Sequence, residues 1–168
     1  MSIDKLKTHL ATGARANKYK VFIPIEGADD EKVDVLAKAT TLPDATITPI
    51  EVWNQGRKLP IAGDATYAGT WDVTFYNSAD LLIKSAVEDW MKSIDSVQDH
   101  TREKDAVGDY VIDMKVQQLD GKNSMVAEYT LYNCWPTAIS AVDVADDAAD
   151  TISEFTATFS FSHWVRTA

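Results

Sequence analysis

Hydrophobic residues fall at every second position through most of this chain. In YKVFIPIE, Tyr19, Val21, Ile23 and Ile25 alternate with Lys18, Lys20 and Glu26. Period two with β-branched residues predicts a strand, and Phe22 and Pro24 on its other face make it a strand with an open edge. Val33, Val35, Ala37 and Ala39 alternate through VDVLAKATTL as far as Pro43 and predict a second strand. TWDVTFYN turns Trp71, Val73 and Phe75 inward, and Thr70, Asp72, Thr74 and Tyr76 outward. YVIDMKVQQL alternates through Tyr110, Ile112, Met114 and Val116, with a hairpin turn at Asp120-Gly121. MVAEYTLYNCW alternates through Met125, Ala127, Tyr129 and Leu131 and is stopped by Trp135-Pro136. ISAVDVA predicts a further short strand. FTATFSFSHWV places Phe155, Ala157, Phe159, Phe161 and His163 on one face, with Thr and Ser on the other.

Helical spacing is confined to two places. Ile83, Val87, Trp90, Ile94 and Val97 recur at four, three, four and three residues and predict a helix over 79–97. Asn77 or Ser78 is expected to cap it, with Asp80 in the first turn where the helix dipole favours an anion. Ile3, Leu6 and Leu10 predict a weak amphipathic helix or arm over 1–17, ending near Gly13. About seven or eight strands and one helix predict a mainly β fold, an antiparallel β-sandwich or partly open barrel, as a single domain over 1–168.

One segment breaks the rhythm. Residues 43–69 hold a short strand around Ile50, Val52 and Trp53. There follows GRKLPIAGDATYAGT, with glycines at 56, 63 and 69 and a proline at 60. So long an excursion from a compact domain is either a protruding binding loop or a hairpin that folds back on its own sandwich.

Composition narrows the function. The 168 residues carry 16 Lys plus Arg against 26 Asp plus Glu, a net charge of −10, which opposes binding to nucleic-acid phosphates. A single cysteine, Cys134, excludes an internal disulfide and a cysteine-based zinc site and fits a reducing compartment. The start MSIDKLKTHLATGARANK lacks the continuous apolar stretch of a secretory signal, and no run approaches the roughly 20 apolar residues of a membrane span. His9, His100 and His163 form no metal-binding pair, and no phosphate-cradling glycine motif is present. His163, on an apolar face, reads as a core or interface histidine, and Cys134 as a buried structural thiol. The carboxylates at 29–31 and at 146, 147 and 150 lack calcium-loop spacing and read as solvated turns. No enzyme activity, catalytic residue, metal or cofactor is expected.

The order of motifs resembles the tail tube proteins of contractile-tailed bacteriophages. The strand ending KATTLP (Lys38 to Pro43) leads into a loop from Gly56 to Asp64. That loop runs into a Trp-x-Val-Thr strand from Trp71 to Asn77, and then into a helix with a central Trp90. ARANKYKVFIP, LYNCWPTAI and FTATFSFSHW are similar as well. The loop departs from the family pattern by reading NQGRKLPIAG, with Gly56 interrupting an Asn-Arg-Lys run.

The resemblance implies a structural subunit of homo-hexameric rings whose strands join into a continuous inner β-barrel. It further implies stacking of rings inside a contractile sheath, with tail sheath, baseplate and tail-terminator proteins as partners. DNA would pass through the lumen without tight binding. The expected location is the virion tail, after assembly in the host cytoplasm. The related alternative is the inner tube of a genome-free device such as a bacteriocin or a type VI secretion system. Trp53, Arg57, Lys58, Leu59, Pro60 and Ile61 would then reach a neighbouring subunit or ring, Arg57 and Lys58 meeting its acidic surface. Asp72, Asp113 and Glu128 would be lumen-facing acids.

Overall fold

The computed structural model describes residues 3, 4, 7, 15–67, 69–96, 101–145 and 150–168. Most of the predicted arm over 1–17, His9, His100, Asp146, Asp147 and the Val97 end of the predicted helix lie outside them. In chain order the elements are β1 (Tyr19–Phe22), α1 (Asp30–Leu36), β2 (Ala37–Thr40), β3 (Thr46–Asn54), β4 (Arg57–Thr66) and β5 (Gly69–Tyr76). Then come α2 (Leu82–Ile94), α3 (Val107–Tyr110), β6 (Ile112–Leu119), β7 (Met125–Ile139), β8 (Glu154–Phe161) and β9 (His163–Arg166).

Two bent strands organise the body. The first half of β7 pairs antiparallel with β6 and with β9; its second half, from Trp135, pairs with β8. β8 and β9 therefore run as one line along β7, broken at Ser162. The corner is where Asn133 takes a left-handed φ of 54°. Its side-chain amide donates to Ser162 Oγ at 3.1 Å, and Ser162 N donates to Tyr132 O at 3.0 Å. Bending both strands together folds one sheet, ordered β1-β6-β7-β8-β5-β2, into two facing layers. The first layer is β1-β6-β7-β9. The second is β2-β5-β8 with the end of β7.

The inward positions of both layers make one core. Val21, Met114, Val116 and Leu131 meet Trp71, Val73, Phe75, Phe155, Ala157 and Phe159, all buried. Phe75 stacks on Phe155 at 5.5 Å between centroids. Ile83, Ala86, Val87 and Trp90 of α2 close the core, and Trp90 Nε1 donates to Tyr110 O at 3.0 Å.

Several expectations are corrected. VDVL is helical rather than extended: Asp29 caps α1 by accepting from Glu31 N at 3.2 Å, and only Ala37–Thr40 is strand. Neither Asn77 nor Ser78 caps α2, whose first flanking residue is Leu81 at φ 49°. Instead Asn77 Nδ2 donates to Ser153 Oγ at 3.0 Å, while Asp80 accepts from Ser78 Oγ and from Leu82 N. Those two bonds and Lys32 hold the Asp80 carboxyl down to about 2. β7 passes through Trp135-Pro136, because β6 has already ended opposite Cys134 and Pro136 has no ladder bond to lose on that side. Residues 140–145 form no strand. His163 lies past the Ser162 break and is exposed, so it is not on the apolar face of β8; its ring stacks on Tyr132 at 4.8 Å.

Candidate functional site

The excursion at 43–69 is a hairpin, and it does not fold back on the sandwich. Among the described residues β3 and β4 pair only with each other, as a separate two-stranded sheet. Gln55 and Gly56 form its two-residue turn with φ of 47° and 78°, the left-handed pair that matches strand twist in a tight hairpin. Gly56 thus sets the register in which Asn54 faces Arg57. Gly63 sits in a bulge, where an added Cβ would come within 2.4 Å of Thr48 O; the close backbone approach requires glycine.

Pairing assigns the side chains to faces. Ile50 is opposite Ile61 and Val52 opposite Leu59, so these four make one apolar face. Trp53 opposite Lys58 and Glu51 opposite Pro60 make the other face, on which Lys58 forms an ion pair with Glu51. Trp53 is 66% exposed and Leu59 61%. Every residue of β3 is exposed, and all of β4 except half-buried Gly63. An isolated two-stranded ribbon is marginally stable in water, and burying an aliphatic side chain is worth about 1.5–3 kcal/mol. Both arguments favour covering this ribbon. Pro49 and Pro60 carry no N–H, which strands tolerate only with the nitrogen turned away from the ladder. They remove donors from the ribbon's outer edges, so its exposed side chains dominate what it presents.

The second feature is the outer side of the layer β2-β5-β8-β7. Alternation turns Asp72, Thr74 and Tyr76 outward beside Glu154, Thr156 and Thr158. The outward groups bond across strands: Thr74 Oγ1 lies 2.9 Å from Thr156 Oγ1, and Thr158 Oγ1 donates to the Asp72 carboxylate at 2.6 Å. Lys38 is tied to Glu154 and lies over the Tyr76 ring. No helix covers this face among the described residues.

The three acids singled out in the sequence do not share a surface. Asp72 lies on the hydroxyl-rich layer. Asp113 and Glu128 lie on the outside of the other layer, where Asp113 Oδ1 accepts from Asn133 N at 3.1 Å. Glu128 accepts from Gln117 and from Thr167, which together hold its carboxyl below the usual range.

The sheet edges differ too. The outer edge of β1 is partly occupied, Val21 N donating to Asp34 Oδ1 at 2.9 Å, and the Tyr19 side chain ties β1 to β2, its Oη donating to Ala37 O at 2.9 Å. Burial, with the nearby Asp34 carboxylate, pushes the Tyr19 phenol up, so it stays a donor. The outer edges of β2 and of residues 135–139 in β7 pair with no strand among the described residues.

No group of His, Cys, Asp and Glu that could hold a metal gathers among the described residues. Cys134 is buried, and burial raises its thiol to about 12. Ile50, Val52 and the Thr74–Thr156 pair were not singled out as site residues in the sequence; counting outward from a turn at Gln55-Gly56 would have found the first two.

The chain matches the phage tail tube protein family over residues 10–167. It is 27% identical to the tail tube protein gp19 of Enterobacteria phage T4, over 98% of this chain and 99% of that one. It is 25% identical to a tail tube protein of Serratia phage KSP90, over 84% and 82% respectively. Its fold superposes at a TM-score of 0.62 on a chain of the PVC sheath-tube complex of an extracellular contractile injection system, with 13% identity and 100% and 99% coverage. A chain of the sheath/tube terminator of such a system superposes at 0.65, with 13% identity and 93% and 97% coverage. With a match over nearly its whole length, the chain belongs to the phage tail tube protein family.

Proposed function

We propose that six copies close into a ring through the layer β2-β5-β8-β7, whose hydroxyl-rich face then lines the channel. The free edge of β2 in one subunit pairs with the free edge of residues 135–139 in the next. This satisfies backbone groups that a lone subunit leaves to water. At the β1 edge of the other layer, by contrast, Asp34 already accepts from Val21 N. The observation that carries the proposal is one uncovered layer with a free strand edge at each end. Six such layers would close a barrel of about 24 strands. At a strand spacing of about 4.8 Å and a tilt of about 40°, it would be roughly 45–50 Å across between backbones, wide enough for duplex DNA.

The hairpin reaches a neighbouring subunit or the next ring and buries the Ile50, Val52, Leu59 and Ile61 face there. Arg57 at its tip meets the neighbour's acidic surface, while Lys58 divides its charge between that surface and Glu51. The channel wall suits DNA that must slide. Hydroxyls of Thr40, Thr74, Thr137, Thr156 and Thr158 are engaged within the sheet, its one lysine is neutralised by Glu154, and Asp72 repels phosphate within about 8 Å at physiological salt. Asp113 and Glu128, on the opposite layer, face the sheath side of the tube. Both relatives are phage proteins, which favours DNA passage over a genome-free device.

Negative-stain microscopy of the purified protein at rising concentration tests the proposal. Rings and then hollow tubes are expected; a protein that stays monomeric at high concentration contradicts it.

A further inference from the structure

From the geometry at the hairpin's base, we infer that Trp164 is a positioning residue, a clamp that aims the β3–β4 ribbon before assembly. The inference rests on the hairpin's proposed role in docking. Since both faces of the ribbon are exposed, its direction relative to the body is fixed, among the described residues, at its two ends. Trp164, in the final strand β9, touches both. Its Nε1 donates to Asp44 O at 2.7 Å, just before β3. Its ring meets that of Tyr67, just after β4, edge-on at 5.8 Å between centroids.

The body side of the clamp is equally defined. Trp164 is half-buried against the core and packs edge-on to Tyr129 at 5.5 Å. A second indole, Trp71, donates to Thr41 O at 2.8 Å and holds the chain upstream of Asp44. One side chain thus joins the end of the chain to both roots of an element some hundred residues earlier. A ribbon aimed in advance loses less orientational freedom on docking, so preorganisation lowers the concentration needed for assembly.

The test uses the full chain with Trp164→Phe, Trp164→Leu and Tyr67→Leu. Trp164→Phe keeps a ring but loses the bond to Asp44. Tyr67→Leu leaves the core untouched and carries the test if Trp164→Leu does not fold. Two quantities are measured: backbone amide order parameters of residues 46–66 below the assembly threshold, and the threshold concentration for tubes. Losing one hydrogen bond or one aromatic contact is expected to raise the threshold about tenfold. The order parameters of the hairpin should fall while those of β5 and β8 stay fixed. If either quantity is unchanged in the variants that fold, the clamp is overturned. Leu59→Glu separates this from the docking proposal. Normal tubes from Leu59→Glu would remove the docking role itself. Blocked tubes from Leu59→Glu alongside normal thresholds in the clamp variants would remove only the clamp.

Discussion

The body and the hairpin are written in the same period-two grammar and end in opposite environments. Phe155, Ala157 and Phe159 alternate along β8 and are buried by the chain's own facing layer and by α2. Ile50 and Val52 alternate along β3 and stay open. Alternation states that a strand will have a wet and a dry face. It does not state which molecule supplies the dry one. A hydrophobic face that its own chain leaves uncovered is therefore the part of this molecule that points to a partner.

Truncating one side chain from each region should separate the body from the hairpin most strongly. Phe159→Ala should cost the isolated subunit about 3–5 kcal/mol, as large core truncations do. Leu59→Ala should stay within about 0.5 kcal/mol, as exposed positions do. Thermal denaturation below the assembly threshold reads both; equal losses would mean that the hairpin packs on its own body. Assembly should rank them the other way. Leu59→Glu with Ile61→Glu, or Arg57→Glu with Lys58→Glu, should leave the subunit folded and abolish tubes under the electron microscope. The charge reversal at Lys58 also replaces its ion pair with Glu51 by two neighbouring carboxylates, a like-charge penalty of about 0.2–1 kcal/mol within the ribbon.

A smaller effect separates the two layers of the body. Replacing Asp72, Asp113 and Glu128 together by Lys should slow genome ejection from particles whose tubes still assemble. Asp72→Lys alone should reproduce that slowing, and the Asp113→Lys, Glu128→Lys pair should not. The reverse ranking would put the other layer at the channel. Silent near neutral pH, and emerging only in alkali, is an effect at Cys134. Its folded thiol is raised to about 12, so the unfolded chain releases this proton first. Stability should be unaffected below the ordinary thiol range of about 8.5 and decline as pH rises from there toward 12. Alkylation of the native protein at pH 8 should be correspondingly slow, and rapid only in denaturant.

Much of the body was legible in the sequence because it is locally dictated. Trp71, Val73 and Phe75, or Met114 and Val116, each occupy the face that their alternation predicts. The failures share a cause: local signals that compete. Val33 and Val35 satisfy period two, yet Asp29 as a cap with Asp30 and Glu31 in the first turn was the stronger signal and was present. Pro136 reads as a strand stop, and only the end of β6 makes it harmless. The corner at Asn133 and Ser162 depends on two strands bending together, a long-range fact that no window of sequence contains. At the candidate site, the Gly-punctuated segment announced an excursion, and Trp53 and residues 57–61 proved to lie on its exposed ribbon. Which side chains share its apolar face required the turn at Gln55-Gly56. That Asp72 is parted from Asp113 and Glu128 required knowing how the sheet folds over.

A cryo-electron microscopy reconstruction of the assembled tube would show which surfaces meet between copies and which line the channel. It should show the Ile50, Val52, Leu59 and Ile61 face in van der Waals contact with an adjacent copy, and Asp72 and Thr158 turned toward the axis. A tube in which that ribbon stands free in solvent, or in which Asp113 and Glu128 line the channel, would contradict it.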